Sequence, residues 1–267
     1  MSTDSSRSAP VDEVVDPSEP AADAAHDSGA LRRARRRAGA LAAVLLGIAA
    51  VATASVLVDP VAPWFQPFDD AVWEWAQEHR SAPFVRVAEW FDVAGSVVVT
   101  VPLRLLAIGV LLLRRRWTQL AIFVVALVLS ELCIGPLKAW TDRARPPQGI
   151  VETTSGSFPS GHSIAAAVTA FGLVIAFLPR GRRRLHWGIV ATLVAASMAW
   201  SRVYLGAHWA SDTVAGVCFG VGIAIGTEVL LEGTRTTVAE HLEVEEPSVD
   251  GGASIPQSGD EAGRHSR

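Results

Sequence analysis

Long apolar runs, separated by short polar segments, set the pattern of this chain. A membrane-spanning helix needs roughly 17–25 predominantly apolar residues. The runs that satisfy this length are residues 38–58, 93–113, 117–137, 162–179, 185–204 and 209–231. The pattern therefore predicts an all-α integral membrane bundle of six transmembrane helices over residues 38–231.

Three of these predicted spans carry a feature that weakens them. The second contains Pro102 and Arg104, and the fourth is short. In the first, the small residues 52–54 resemble a signal-peptide cleavage site. However, the polar stretch before this span is far longer than a usual signal-peptide n-region, so we interpret it as a retained anchor.

The first polar loop contains FDDAVWEWAQEHR, residues 68–80, in which aromatic and acidic side chains recur at near-helical spacing. Short periodicities are weak signals, but this one favours a helix lying in the membrane interface over a plain loop. We therefore expect an interfacial helix in the first outer loop.

Arginine clusters give the predicted orientation. They occupy residues 32–37, 114–116 and 180–184, which fall on one face if six spans alternate. The positive-inside rule makes this face cytoplasmic. Both termini are then cytoplasmic, and loops 59–92, 138–161 and 205–208 face outward.

Composition refines this picture. Half of the residues are apolar, and the net charge of −4 reflects acidic tails. We expect residues 1–37 and 232–267 to be disordered cytoplasmic tails, and no nucleic-acid partner. Cys133 and Cys218 lie in apolar runs without disulfide or metal-ligand spacing. The alanine- and arginine-rich bias indicates a GC-rich bacterial genome, and hence the plasma membrane.

Three polar blocks lie on the predicted outer face: KAWTDRARP, FPSGHS and SRVYLGAHWASD. The first and third supply three cations, namely Lys138, Arg145 and Arg202. Arginine binds phosphate oxygens through a planar fork, and lysine acts as a point charge. Cations near helix ends also snorkel to the interface. We favour snorkelling for Arg143 taken alone, and phosphate binding for the other three together.

The second block resembles the start of a helix. Ser160 is a good N-cap residue, and Gly161 lets backbone N–H groups approach an anion, which a helix N-terminus favours. Alone, the sequence PSG indicates only a capped transmembrane helix. Because His162 follows at the membrane edge, the block predicts a phosphate cradle with an acid beside it.

His208 and Asp212 in the third block are four residues apart, so they share a helix face. A carboxylate on one imidazole nitrogen leaves the other free to act as a base or nucleophile. A polar pair that caps the sixth helix fits the same spacing equally well. Ionisable groups bordering a span are functional candidates.

Together the blocks resemble the signature of the type 2 phosphatidic acid phosphatase superfamily, the lipid phosphate phosphatases. That signature is K-x6-R-P, P-S-G-H and S-R-x5-H-x3-D. It is complete here in Lys138 with Arg145-Pro146, in residues 159–162, and in Ser201-Arg202 with His208 and Asp212. Three such blocks in order on one membrane face form a specific motif.

The resemblance implies a mechanism. His208 would attack phosphorus, Asp212 would orient it, and His162 would protonate the leaving oxygen and then activate water. The remaining signature residues would hold the phosphoryl oxygens: Lys138, Arg145, Ser160, Gly161 and Arg202. Family members generally need no metal or other cofactor, and the substrate would be a lipid phosphate or pyrophosphate within the bilayer.

Two other functions remain open. A lipid phosphotransferase would use the same histidine, whereas a non-catalytic protein that binds or transports anionic lipids would need cations but no oriented nucleophile. The blocks also resemble those of vanadium-dependent haloperoxidases and soluble acid phosphatases, against which six spans argue. The sequence selects neither the lipid nor the oligomeric state.

Two features inside the spans add structural hypotheses. Arg104 and Glu131 lie in neighbouring spans, so an intramembrane pair beneath the site is one interpretation. Alternatively, Arg104 points into a hydrated headgroup cavity, or Pro102 breaks the span and Arg104 snorkels. In the sixth span, glycines 216, 220, 222 and 226 have small-xxx-small spacing, which favours close packing within the bundle over dimerisation.

Overall fold

The computed structural model describes the backbone of residues 18–151 and 155–245, and the side chains of residues 29–151 and 155–234. Every regular element in these residues is an α-helix, so the predicted all-α class is confirmed. The helices are α1 (Ser18–Val58), α2 (Gln66–Glu78), α3 (Ala82–Gly95), α4 (Val97–Leu113), α5 (Trp117–Thr141), α6 (Gly161–Phe177), α7 (Arg182–Tyr204) and α8 (Ala210–Glu245).

Five of the six predicted spans each fall on one helix, and the second covers the end of α3 and all of α4. The number of spans stays a prediction. Three described helices are long and apolar enough to cross a membrane: Gly29–Val58, Trp117–Thr141 and Ala210–Thr234. The number rises to four if α3 and α4, which are bent by 46° relative to each other, form one broken span. α6 has 17 residues and measures about 26 Å at 1.5 Å per residue, slightly less than the hydrocarbon core.

The predicted first outer loop is mostly helical. The expected helix within it is present as α2, while its position in the membrane interface stays a prediction. α3 also lies there, so the predicted boundary at residue 93 falls inside a helix. The helical backbone is interrupted at Ser96, which is extended (φ −67°, ψ 159°). Pro102 does not interrupt it and lies inside α4.

Two helices continue into the predicted tails. α1 begins at Ser18, and α8 ends at Glu245. Residues 1–17 and 246–267 lie outside the described residues, so disordered tails and the domain boundaries stay predictions. The described residues up to Glu232 form one compact unit, and the described residues from Gly233 onward belong to another.

Glycine contacts allow close helix packing, as the spacing in the sixth span predicts. A Cβ on Gly220 would lie 2.7 Å from the Ile164 carbonyl oxygen of α6, and one on Gly216 would lie 2.8 Å from the Ser160 carbonyl oxygen. A Cβ on Gly222 would lie 2.8 Å from the side chain of Leu46, which is on α1. The prediction of close packing inside the bundle is confirmed, and it places the start of α6 against α8.

The predicted pair of Arg104 and Glu131 is also present, while its depth in the membrane stays a prediction. Arg104 donates from Nη1 to Glu131 Oε1 at 2.9 Å and from Nε to Thr169 Oγ1 at 2.9 Å. The Arg104 side chain is 10% exposed. Its partners lie on α5 and α6, so this arginine joins α4 to two neighbouring helices.

Candidate active site

The two cations of the first block meet at one carbonyl group. Lys138, in the last turn of α5, donates from Nζ to the Gly156 oxygen at 2.7 Å. Arg145, in the loop 142–160, donates from Nη2 to the same oxygen at 3.3 Å and from Nε to the Ser155 oxygen at 3.0 Å. Burial, followed by the nearby charge of Arg202, lowers the pKa of Arg145. The loop therefore holds two positive charges side by side.

The start of α6 lies beside these cations. Ser160 is the N-cap, and its Oγ accepts from the backbone N–H of Ser163 at 3.4 Å. Gly161 begins the helix, and a Cβ added there would lie 4.0 Å from Lys138 Cε. Because backbone N–H groups at a helix start are unpaired and carry partial positive charge, this corner favours an anion.

The second block is also joined to the third through the backbone. Ser160 N donates to the Asp212 carbonyl oxygen at 3.1 Å. Gly206 has a φ of +67°, and a Cβ on Gly149 would lie 2.7 Å from the Gly206 oxygen. Glycine at both positions permits this close approach, which brings the loop before α6 against the turn between α7 and α8.

His208 lies in that turn with its two ring nitrogens facing different groups. Nε2 is 3.3 Å from Arg145 Nη1, and Nδ1 is 3.6 Å from Asp212 Oδ2. The second distance is that of an ion pair but exceeds a good hydrogen bond. Burial lowers the pKa of His208 to about 4, outweighing the opposite effect of Asp212. The ring is therefore neutral at pH 7, with Nε2 toward the cations.

Asp212 is held by several donors. Oδ2 accepts from the Trp209 backbone N–H at 3.0 Å and also from the Ser157 hydroxyl. Oδ1 accepts from Arg143 Nη1 at 2.6 Å. The Asp212 side chain has no exposed surface, so its orientation beside His208 is fixed by the surrounding protein.

Two further predicted site residues, His162 and Arg202, lie next to the same carboxylate, that of Asp92, which the sequence analysis did not identify. Asp92 of α3 accepts a hydrogen bond from Arg202 Nη1, and its Oδ1 lies 3.4 Å from His162 Nε2. Arg202 is 1% exposed, whereas a third of the His162 side chain is exposed. α3 therefore supplies an acidic partner to one cation and one histidine of the signature.

Arg143 does not snorkel as the sequence interpretation supposes. It is 2% exposed and donates to Asp212 and, through Nη2, to Asp69 of α2 at 2.7 Å. Phe65 and Trp209 place their rings 5.4 and 5.6 Å from its guanidinium carbon. The interpretation is wrong because an ion pair with two buried carboxylates, which local sequence does not reveal, keeps the side chain inside.

An apolar groove of about 530 Å³ lies between α1, α2 and α8, and Ser211 and Phe65 contribute to its lining. The predicted phosphate-binding residues do not line it. Among the residues that the structure describes, there is no group of three or more His, Cys, Asp or Glu side chains that could hold a metal ion.

Comparison with known proteins identifies this region of the chain. Residues 119–232 match the model of the PAP2 superfamily, and the predicted resemblance is confirmed. Phosphatidylglycerophosphatase B of Bacillus subtilis is 35% identical over 42% of this chain and 58% of its own length. Undecaprenyl-diphosphatase of Sulfolobus acidocaldarius is 31% identical over 38% of this chain and 48% of its own length.

A solved structure shares the fold. The PAP2-type phosphatidylglycerolphosphate phosphatase of Bacillus subtilis has 25% sequence identity and a TM-score of 0.58, covering 74% of this chain and 96% of that one. It is a transmembrane protein, and with the apolar helices above this makes the chain a multi-pass membrane protein. The chain spans about half the length of the curated relatives it matches.

Proposed function

We propose that this chain removes the terminal phosphate of a membrane lipid phosphate or pyrophosphate. His208 would form a phosphohistidine intermediate at the extracytoplasmic face, and no metal ion would take part. The observation that carries this proposal is the position of Arg145 Nη1, 3.3 Å from Nε2 of a buried neutral histidine. A phosphoryl group bound by Arg145 would lie within reach of that nitrogen.

In the first step, His208 Nε2 attacks phosphorus and the bond from phosphorus to the lipid oxygen breaks. His162 donates a proton to that leaving oxygen. Asp212, on the Nδ1 side, stabilises the positive charge that the ring acquires. In the second step, His162 takes a proton from water, the water oxygen attacks phosphorus, and the phosphorus–nitrogen bond breaks to release phosphate.

Lys138, Arg145 and Arg202 would bind the phosphoryl oxygens together with the N–H groups at the start of α6. Phosphoryl transfer depends mostly on such positioning and on electrostatic stabilisation. Arg202 is paired with Asp92, so an incoming phosphoryl group would compete with that carboxylate. The three cations give the charge neutralisation for which other phosphoryl-transfer sites use metal ions.

The proposed extracytoplasmic orientation is supported by where charge lies on two helices. α5 begins beside Arg116 and has Lys138 in its last turn. α6 begins at the site, and arginines follow its other end at residues 180–184. The arginine clusters therefore lie at the helix ends opposite the site, and the positive-inside rule makes those ends cytoplasmic.

The substrate types come from the relatives. Their names specify a phosphatidylglycerophosphatase and an undecaprenyl-diphosphatase, so the substrates to test first are phosphatidylglycerol phosphate and polyprenyl pyrophosphate, with phosphatidate beside them. A headgroup held at the start of α6 would leave the lipid chain in the bilayer.

The proposal is tested by phosphate release from these three lipids, using protein purified in detergent with excess EDTA. We expect turnover that survives the chelator and is lost in His208→Ala. The matched control is His186→Ala, because His186 is exposed on α7 and belongs to no block. Absence of phosphate release from every lipid by folded wild-type protein would overturn the proposal, and transfer of the phosphoryl group to an added alcohol would identify a transferase.

A further inference from the structure

Arg143 and Asp69 form a buried charged cluster with Asp212, and neither belongs to the signature motif. We propose that they are positioning residues for the nucleophile, holding the Asp212 carboxylate beside His208 and setting the charge that it presents to the phosphohistidine. This inference rests on the proposed role of His208 as nucleophile and adds two residues, from α2 and the loop 142–160, to that site.

The guanidinium of Arg143 bridges two carboxylates. Nη1 donates to Asp212 Oδ1 at 2.6 Å, and Nη2 donates to Asp69 Oδ2 at 2.7 Å. Both carboxylate side chains have no exposed surface, and that of Arg143 is 1% exposed. The guanidinium is planar, so an arginine that donates to two fixed carboxylates through different nitrogens has one favourable orientation. This arrangement restricts the rotation of Asp212.

Further hydrogen bonds fix Asp69 on the same side. Asp69 Oδ1 accepts from the Ser211 backbone N–H at 2.8 Å, and Oδ2 accepts from the Ser211 hydroxyl at 2.5 Å. Gln66 Oε1 accepts from Arg143 Nη2 at 2.6 Å. α2 is therefore joined directly to the residue that precedes Asp212 in the third block.

The charges of the cluster suit a cationic histidine. Two carboxylates and one guanidinium leave a net charge of −1 in a buried volume, where an unbalanced charge is costly. When His208 is phosphorylated on Nε2 and keeps its Nδ1 proton, its ring carries +1 and the four groups become neutral. The negative charge of Asp69 thus offsets the positive charge of Arg143. The negative charge of Asp212 then remains available to stabilise a positive charge on the His208 ring.

A purely structural role is the alternative, in which Arg143 only joins α2 to the loop. The two roles differ in what they predict for His208. The charged groups that face its ring are Asp212 of α8, Arg145 of the loop 142–160 and Lys138 of α5. Asp69 and Arg143 lie behind Asp212, so changing them removes none of the three charged groups that face the ring.

The test compares Asp69→Asn and Arg143→Gln with Asp70→Asn. Asp70 is the exposed neighbour on α2, and asparagine there keeps the acceptor that Gln66 uses. Thermal unfolding, kcat and KM on the three lipid phosphates are measured for each protein. The pKa of His208 is measured by NMR on histidine-labelled protein in detergent, assigned by the signal missing in His208→Ala.

We expect Asp69→Asn to lower kcat roughly 10-fold, by analogy with the low end of the range for hydrogen-bond partners of metal-binding side chains, with KM near that of the wild type. Loss of a negative charge disfavours the protonated ring, so the pKa of His208 falls. Arg143→Gln removes a positive charge and moves that pKa upward. Asp70→Asn changes neither quantity.

Unchanged kcat and unchanged His208 pKa in folded Asp69→Asn, with only its unfolding temperature lowered, would overturn the inference. If Arg143→Gln does not fold, Arg143→Lys replaces it: we expect the charge to preserve the His208 pKa while loss of the fork lowers kcat. If the wild type releases no phosphate, the proposed function fails by itself. The NMR titrations then decide this inference, and identical His208 pKa values in all variants would overturn it.

Discussion

Arg145 Nη1 lies 3.3 Å from His208 Nε2, so a cation from the loop before α6 faces the free nitrogen of a buried imidazole. The same guanidinium is held by the carbonyl oxygens of Ser155, Gly156 and Ala207. Its position is therefore fixed before any ligand binds. This fork can hold two phosphoryl oxygens at once, which an ammonium group cannot do.

Arg145→Lys should accordingly lower kcat by roughly 10²–10³-fold, the loss typical for a group that stabilises charge in the transition state. The lysine keeps the charge but not the planar fork. Phosphate release with a lipid phosphate checks this, beside circular dichroism to confirm folding. Arg86→Lys on α3, where the side chain is exposed, should match the wild type, and near-normal kcat in Arg145→Lys would show that the fork is not used.

The pH dependence follows from the burial of His208, which lowers its pKa to about 4. In the proposed mechanism the neutral ring is the nucleophile, and a lowered pKa keeps it neutral over a wider acidic range. The His208 contribution to kcat/KM should therefore stay constant from pH 7 downward and fall only as pH approaches 4. The check is kcat/KM measured over this pH range, with folding confirmed at each pH. A fall in kcat/KM that begins near the ordinary histidine pKa of about 6.5 would contradict the account.

Arg104→Leu should destabilise the bundle by about 1–3 kcal/mol, because Glu131 and Thr169 lose a hydrogen-bonding partner. The double variant Arg104→Leu with Glu131→Leu should recover part of that loss, since no carboxylate is then left without its cation. Thermal unfolding in detergent measures both changes. Equal losses in the single and double variants would mean that the pair contributes nothing to stability.

Gly220→Ala should cost about 1–3 kcal/mol, because the new Cβ would lie 2.7 Å from the Ile164 carbonyl oxygen and from Ala167 Cβ. Gly109→Ala is the matched control: nothing lies within 4 Å of its Cβ, and alanine favours helix by up to about 1 kcal/mol. The unfolding temperature should fall in the first variant and not in the second. Equal behaviour of the two would contradict close packing of α8 against α6.

The positions of the signature blocks could be predicted from the sequence because each adjoins an apolar run. Lys138 ends one such run, Ser160 caps the next, and Asp212 begins the last. Alternating spans bring such ends to one side of a bundle, and a hydrogen bond from Ser160 N to the Asp212 carbonyl oxygen joins two of the blocks. The Arg104–Glu131 pair was accessible in the same way, as two charges in neighbouring spans.

Asp69 and Asp92 could not be predicted because their partners are distant in the chain. Each lies in a helix before the first block, and its role depends on how α2 and α3 pack against the later helices. Ser157 also gave no signal, since its partner Asp212 is known only from the fold. Arg143 had a local explanation as a snorkelling cation, and only the two buried carboxylates exclude it.

The phosphohistidine at His208 is the central claim, and trapping it is the most direct test. A lipid phosphate labelled with radioactive phosphorus is mixed with the wild type, His162→Ala and His208→Ala, and the reaction is stopped in alkali. We predict an acid-labile label on the wild type and none on His208→Ala. On His162→Ala the label should both form and disappear more slowly, because His162 acts in both steps of the proposed mechanism. Phosphate release by wild-type protein without any protein-bound label, or a label that persists in His208→Ala, would contradict the account.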